Sequence, residues 1–158
     1  MKILVISDSH GYKSPMLKAV ELESPELILH LGDYDRDCGA VELAYPEIPL
    51  RSVRGNCDRS SANLNVDEFT FGGKRFYMTH GHLFGVKTSL ASIVDTAASK
   101  CADVLLFGHT HEPHYSVYDG ISVINPGSIG AGTRSYAILE LKDGAVTCEI
   151  KRVAPESR

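Results

Sequence analysis

No pair of cysteines in this chain is spaced as C-x-x-C. Cys38, Cys57, Cys101 and Cys148 stand far apart, so neither a zinc finger nor a thioredoxin-type motif is suggested. With 43% hydrophobic residues over 158 positions, the chain can bury a substantial core and does not need disulfides. No block of lysine and arginine stands out, and the formal net charge is -4. The basic footprint of a protein that grips extended nucleic acid is therefore missing. A phosphate substrate remains compatible, because a bound divalent metal offsets negative charge locally. No apolar run approaches a membrane span. After Lys2 only Ile3 to Ile6 are consecutively apolar, too short for a signal-peptide core. The expectation is a soluble, cytoplasmic protein with no membrane partner, folded as a single domain over residues 1–158.

Against that background, apolar runs alternate with helical patterns. Ile3 to Ile6 reads as a buried strand. Ser14-Pro15 marks a helix start, with Ser14 as N-cap and Pro15 at the first helical position, and Ser24-Pro25 ends the helix. Leu27 to Leu31 is the next strand, so strand, helix and strand imply parallel pairing through a right-handed crossover. Val41, Leu43 and Ala44 suit a short helix, and Leu50 to Val53 is β-like. Val66–Phe71 and Lys74–Thr79 flank Gly72-Gly73 as a hairpin. Thr88 to Lys100 carries an apolar stripe at helical spacing, through Leu90, Ile93, Val94, Ala97 and Ala98. Val104 to Phe107 is a further strand. Asp119-Gly120 and Asp143-Gly144 then announce two hairpins, so the last third reads as antiparallel β. Ala154 to Arg158 is expected to be a frayed tail.

The strand ends share one kind of residue. Ile3–Ile6 leads to Asp8 and His10, Leu27–Leu31 to Asp33, Leu50–Val53 to Asn56, Lys74–Thr79 to His80, and Val104–Phe107 to His109 and His111. Each piece alone has a bland reading. Asp-x-His suits a turn and helix cap, Gly-Asp a turn, Gly-Asn-x-Asp an Asx-turn, and His-Gly-His a solvated loop. In open α/β sheets, however, ligands bind beyond the carboxyl ends of the strands. Joint placement at successive strand ends makes one shared site the stronger reading. His30, inside a strand, and His114, in the polar loop before Tyr115, lack that placement and are read as structural or exposed.

Asp8, His10, Asp33, Asn56, His80, His109 and His111 make seven nitrogen and oxygen ligands. One tetrahedral zinc needs about four. Seven suits two divalent metals sharing a bridging carboxylate, spaced to clamp a phosphate. With no thiolate in the set, manganese is the first expectation, and iron, zinc and nickel are the alternatives.

In order, Asp8-x-His10, Gly32-Asp33, Gly55-Asn56-x-Asp58, His80-Gly81-His82 and Gly108-His109-x-His111 resemble the calcineurin-like metallophosphoesterases. Asn125-Pro126-Gly127-Ser128 is also similar to the family's small bacterial and archaeal phosphodiesterases. The resemblance implies an α/β fold, a four-layer αββα sandwich of two mixed β-sheets flanked by helices. It implies Asp8, His10 and His111 on one metal, Asn56, His80 and His109 on the other, and Asp33 bridging. It further implies a small phosphodiester substrate attacked by a metal-bridging hydroxide, with Asn56 also donating its amide to the phosphate. Many relatives carry histidine where this chain has Cys57, and that histidine helps protonate the leaving oxygen. A neutral thiol is poorly matched to general-acid work, so aryl diesters are expected to react faster than alkyl ones. His82 is the alternative acid, or else a residue orienting His80. Asp58 is expected to orient its loop, and Cys57 has packing as its other role. The rival functions are a non-catalytic protein-binding scaffold, as in the retromer subunit of this fold, and a nuclease acting on nucleotides. A homodimer is the default assembly, because two-fold oligomers are the commonest.

Overall fold

Alternation along the first strand sets the layers. In the computed structural model, which describes residues 1–130 and 132–155, β1 (Lys2–Ile6) is buried from Ile3 onward. Successive strand side chains point to opposite faces. Ile3 and Val5 therefore enter one core, and Leu4 and Ile6 another. The second core is closed by α1 (Lys13–Glu23) and α2 (Cys38–Ala44), through Met16, Ala19, Val20, Cys38 and Val41. The first is closed by a second sheet. Phe76 and Met78 of β5 (Lys74–Thr79), with Val104 and Leu106 of β6 (Val104–Leu106), face Ile3 and Val5 across it. The other face of β6, with Leu105 and then Phe107, packs on α3 (Ala91–Ser99) through Ile93 and Ala97. Three cores separate four layers, which is the expected αββα sandwich.

Both sheets are mixed. In the first, β2 (Leu27–His30) and β3 (Leu50–Ser52) run parallel to β1, while β9 (Ser135–Lys142) pairs antiparallel with β1 and β10 (Ala145–Arg152) antiparallel with β9, in the order β10-β9-β1-β2-β3. In the second, β5, β6 and β8 (Ile121–Pro126) are parallel. β4 (Val66–Phe71) and β7 (Pro113–Tyr118) flank them antiparallel, in the order β4-β5-β6-β8-β7. Ile6 pairs with His30 and His30 with Ser52, so three strands of the first sheet end at one level. Met78, Leu106 and Ile124 do the same in the second.

Local differences from expectation have local causes. α1 starts at Lys13 with Tyr12 at its N-cap and no side-chain cap, so Ser14 does not cap it. Pro15 falls inside the first turn, where its missing N–H has no helical partner to lose. α3 begins only at Ala91, because the N–H groups of Thr88 and Ser89 bond Gly85 O in a separate turn. Both expected late hairpins form, but they edge different sheets, and β8 joins β6 in parallel. His114 belongs to β7, not to a loop, and bonds Ser116 Oγ at 2.9 Å. Of the expected frayed tail, Ala154 to Arg158, residues 156–158 lie outside the described residues. All four cysteines are free. Among the described residues no helix is long and apolar enough to cross a membrane.

Candidate metal centre

Five of the seven candidate ligands occupy the left-handed backbone region: Asp8, His10, Asp33, His109 and His111, with φ between 47° and 70°. For residues other than glycine this conformation costs on the order of 1 kcal/mol each. Aspartate and histidine tolerate it better than branched residues. The surroundings hold it. Asp8 N–H donates to Gly32 O at 3.0 Å, and Ser128 Oγ donates to Asp8 O at 2.8 Å. Asn125 Nδ2 donates to Gly108 O at 3.1 Å. Two glycines leave the room these turns need. A Cβ on Gly55 would stand 2.1 Å from Asp33 Oδ1, and one on Gly108 would stand 2.3 Å from Ser7 Oγ.

The side chains converge. His111 Nε2 lies 3.0 Å from Asp8 Oδ1 and 3.4 Å from His10 Nε2. His10 Nε2 is 3.7 Å from Asp8 Oδ1 and 3.9 Å from Asp33 Oδ2. On the other side, His80 Nε2 is 3.5 Å from Asp33 Oδ2, 3.1 Å from Asn56 Oδ1 and 3.2 Å from His109 Nδ1. All seven candidates therefore meet in one cluster, with Asp33 Oδ2 between the two groups. Ligand atoms bound at about 2.0–2.2 Å around one ion sit about 3–3.5 Å apart, so these spacings suit coordination. The outer oxygens of the two carboxylates are tied. Asp33 Oδ1 accepts Cys57 N–H at 2.9 Å, and Asp8 Oδ2 accepts Ser7 Oγ–H and, at 3.3 Å, His109 N–H.

Protonation shows whether a cation fits. Leu31 O can only accept, and His80 Nδ1 approaches it at 2.8 Å, so Nδ1 carries the hydrogen. In neutral His80 the bare Nε2 then faces the oxygens of Asn56 and Asp33. That arrangement needs a positive charge among these atoms, supplied either by a proton or by a metal. Burial opposes a charge on His80, but the hydrogen bond and charge of Asp33, with the charge of Asp8, outweigh it and raise its pKa. Asp8 shows the converse. Burial favours its neutral form, yet His10, His111 and His80 hold its carboxyl well below the usual range. Burial, His80 and Lys87 push His109 down to about 4, leaving a neutral imidazole suited to ligation. The donor set and its charge pattern fit divalent metal ions.

A family model described as the calcineurin-like phosphoesterase superfamily domain matches residues 1–144. The chain belongs to this superfamily. It is 36% identical over 154 residues to the "Probable metallophosphoesterase YsnB" of Bacillus subtilis, covering 93% of this chain and 88% of that one. It is 29% identical over 145 residues to a phosphodiesterase of Methanocaldococcus jannaschii, covering 80% and 83%. Among solved structures, a predicted phosphoesterase of Streptococcus pneumoniae superposes with a TM-score of 0.79 at 25% identity, over 98% of this chain and 92% of that chain. Vps29 of Entamoeba histolytica, solved complexed with zinc, shares the fold with a TM-score of 0.74 at 19% identity, over 96% and 98%.

Within this phosphoesterase the remaining expected residues separate. Cys57 Sγ lies within 4.8 Å of ligand atoms of His10 and Asp33, so it borders the centre and is exposed. Burial and the charge of Asp33 push its thiol up. His82 starts the short 3-10 turn His82–Phe84, its ring 5.4 Å from that of His80. It makes no hydrogen bond to His80, which is oriented by Leu31 O instead. His82 Nδ1 is buried without a partner among the described residues. Asp58 orients its loop as expected, by accepting four backbone N–H groups from Asp33, Tyr34, Asp35 and Gly55.

A second support was not foreseen. Gly32 N–H donates to His30 Nδ1, which leaves Nε2–H to donate to Ser9 Oγ at 3.1 Å; Ser9 Oγ–H in turn donates to Asp37 Oδ2 at 2.8 Å. This buried chain braces the Asp8–His10 turn from behind. In the sequence, Ser9 and His30 are polar residues following or ending apolar strands, and Asp37 carries no such signal.

Proposed function

We propose that this phosphoesterase is a dinuclear metal-dependent phosphodiesterase acting on a small phosphodiester. Asp8, His10 and His111 would hold one ion, Asn56, His80 and His109 the other, and Asp33 would bridge. The observation that carries this reading is the approach of Asp33 Oδ2 to both groups, 3.9 Å from His10 Nε2 and 3.5 Å from His80 Nε2. Divalent ions there supply Lewis-acid activation of water and of the phosphoryl group. Manganese is the first choice and iron, zinc and nickel follow, on the grounds of a nitrogen and oxygen donor set.

The chain's own groups then have defined work. Asn56 directs Oδ1 to the cluster, 3.1 Å from His80 Nε2, which leaves its Nδ2 to donate to a phosphoryl oxygen. Leaving-group protonation has no strong candidate. The Cys57 thiol is pushed up and stays protonated near neutral pH, and the His82 imidazole is pushed down by burial and the charge of His80. The reaction therefore favours esters whose leaving groups need no acid.

The test is a phosphate-ester panel assayed with each metal, with Asp33→Ala as control. Retained activity in that variant refutes the bridging carboxylate. Equal rates for aryl and alkyl diesters, with chemistry rate-limiting, refute the missing acid. About two metals per chain with no hydrolysis of any ester would favour a scaffold. Strong cleavage of DNA would favour a nuclease. A homodimer is proposed only on the frequency of two-fold assemblies, and sedimentation tests it.

A further inference from the structure

A cleft of about 280 Å³ opens beside the metal centre, lined by Tyr34, Arg36, Cys57, Arg59, Ser60 and Ser61, with Asp35 and Asp58 also in its lining. It shares a wall with the centre. Cys57 Sγ is within 4.8 Å of His10 and Asp33 ligand atoms, and the Tyr34 ring is 5.2 Å from that of His10. The two arginines are exposed and have no carboxylate partner among the described residues, where other cations such as Arg51 and Lys151 do. Arg36 lies over the Tyr34 ring, 4.7 Å from its centroid, which fixes its guanidinium at the cleft.

The acids in the cleft keep their charge, but their oxygens are engaged by the protein and do not pair with the arginines. Asp58 is buried and spends its oxygens on four backbone N–H groups. Asp35 is also nearly buried, and its Oδ2 accepts Ser61 Oγ–H and Asn63 Nδ2–H. The cleft lining thus offers two guanidinium groups without a carboxylate partner, together with the Ser60 hydroxyl, the Cys57 thiol and Tyr34. Guanidinium forks match phosphate oxygens and are the usual protein answer to them. The Tyr34 ring already carries Arg36, so it is a poor platform for a base. The cleft is small for an organic ligand site but roomy for a phosphoryl group and a few attached atoms.

We infer that Arg36 and Arg59 bind a second phosphate, so that the preferred substrates are small phosphodiesters that also carry a phosphomonoester. The diester would lie at the metal centre and the monoester in the cleft. The substrate assignment rests on the phosphodiesterase reading, whereas the anion site does not.

Two measurements on the manganese-loaded full chain test this. Calorimetry compares thymidine 3',5'-bisphosphate with thymidine 5'-phosphate. Kinetics compare the p-nitrophenyl ester of thymidine 5'-phosphate with its 3'-hydroxyl free or phosphorylated, so the leaving group is constant. The extra phosphate is expected to improve both affinity and kcat/KM by roughly tenfold or more. Arg36→Ala/Arg59→Ala should bring both ratios toward one. Lys142→Ala/Arg152→Ala, a charge-matched change on the β9–β10 hairpin at the other edge of the first sheet, should leave them. No advantage from the extra phosphate, or an advantage that survives in the arginine variant, overturns the inference. A binding advantage that depends on the arginines, with neither ester hydrolysed, upholds the anion site and counts against the phosphodiesterase reading instead.

Discussion

Asp58 Oδ2 accepts the backbone N–H of Asp33 at 2.8 Å, although Asp58 makes no hydrogen bond to any candidate ligand side chain. The same oxygen takes Gly55 N–H at 2.8 Å, while Oδ1 takes those of Tyr34 at 2.7 Å and Asp35 at 3.2 Å. One buried carboxylate thus ties the end of β2 to the end of β3 and sets the backbone that aims Asp33. Removing it leaves several buried donors without an acceptor. Asp58→Ala is therefore expected to destabilise the fold by roughly 3 kcal/mol and to lower metal content as well. Asp58→Asn, which keeps one acceptor oxygen, should lose less of each. Urea unfolding and metal counting on the two variants check this, and an unchanged midpoint in Asp58→Ala would refute it.

Gly55 is needed for a different reason. A Cβ there would meet Asp33 Oδ1 at 2.1 Å and Asp33 N at 2.6 Å. The second contact is with backbone, so rotating a side chain cannot relieve it. Gly55→Ala should displace Asp33 and cost about 1–3 kcal/mol through overpacking. Gly39→Ala is the control, since a Cβ there meets nothing within 4 Å. Activity should fall sharply in the first variant and stay near normal in the second.

Away from the metal centre, Glu23 is buried and accepts Tyr136 Oη–H at 2.8 Å and Lys151 Nζ–H at 2.9 Å. Burial alone would raise its pKa. The bonds from Lys151 and Tyr136, with the charges of Lys151 and Lys2, overcome that and lower it below 4.5. A depressed carboxyl stabilises the fold above its unfolded pKa, and that stability is lost as pH falls through the folded pKa. The Glu23 contribution should therefore be full at neutral pH and fade below about pH 4.5. Glu23→Gln is expected to cost roughly 1–2 kcal/mol at pH 7 and much less at pH 3. A stability difference between wild type and variant that does not change with pH would sink this account.

The candidate ligands were legible in the sequence because each follows an apolar run, and strand periodicity is a local property. Asp8, Asp33 and His80 could be placed from their own neighbours. The pairing of β8 with β6 could not, because it joins residues near Leu105 to residues near Val123 through an intervening strand, and no local pattern records which sheet a hairpin joins. The Ser9–His30–Asp37 chain was hidden for a related reason. His30 reads as one polar residue inside a strand; its ring bonds Ser9, 21 residues away, and Ser9 in turn bonds Asp37, 28 residues from it. Left-handed backbone at His109 and His111 was also unreadable. Extended residues would put both rings on one side, whereas φ of 70° and 61° turn them to different neighbours.

That difference in neighbours yields the sharpest test of two sites. His111 Nε2 sits 3.0 Å from Asp8 Oδ1, while His109 Nδ1 sits 3.2 Å from His80 Nε2. Separated by a single residue, Thr110, the two imidazoles belong to opposite ends of the cluster. In a single-ion centre, His109→Ala and His111→Ala would weaken the same ion. In a paired centre each variant should drop from about two ions per chain to about one, and the double variant should lose both. The two single variants should also differ spectroscopically when loaded with cobalt, because one keeps the Asp8, His10 and Asp33 environment and the other that of Asn56, His80 and Asp33. About one ion per chain in the wild type, or identical cobalt spectra in the two single variants, would reduce the centre to one ion.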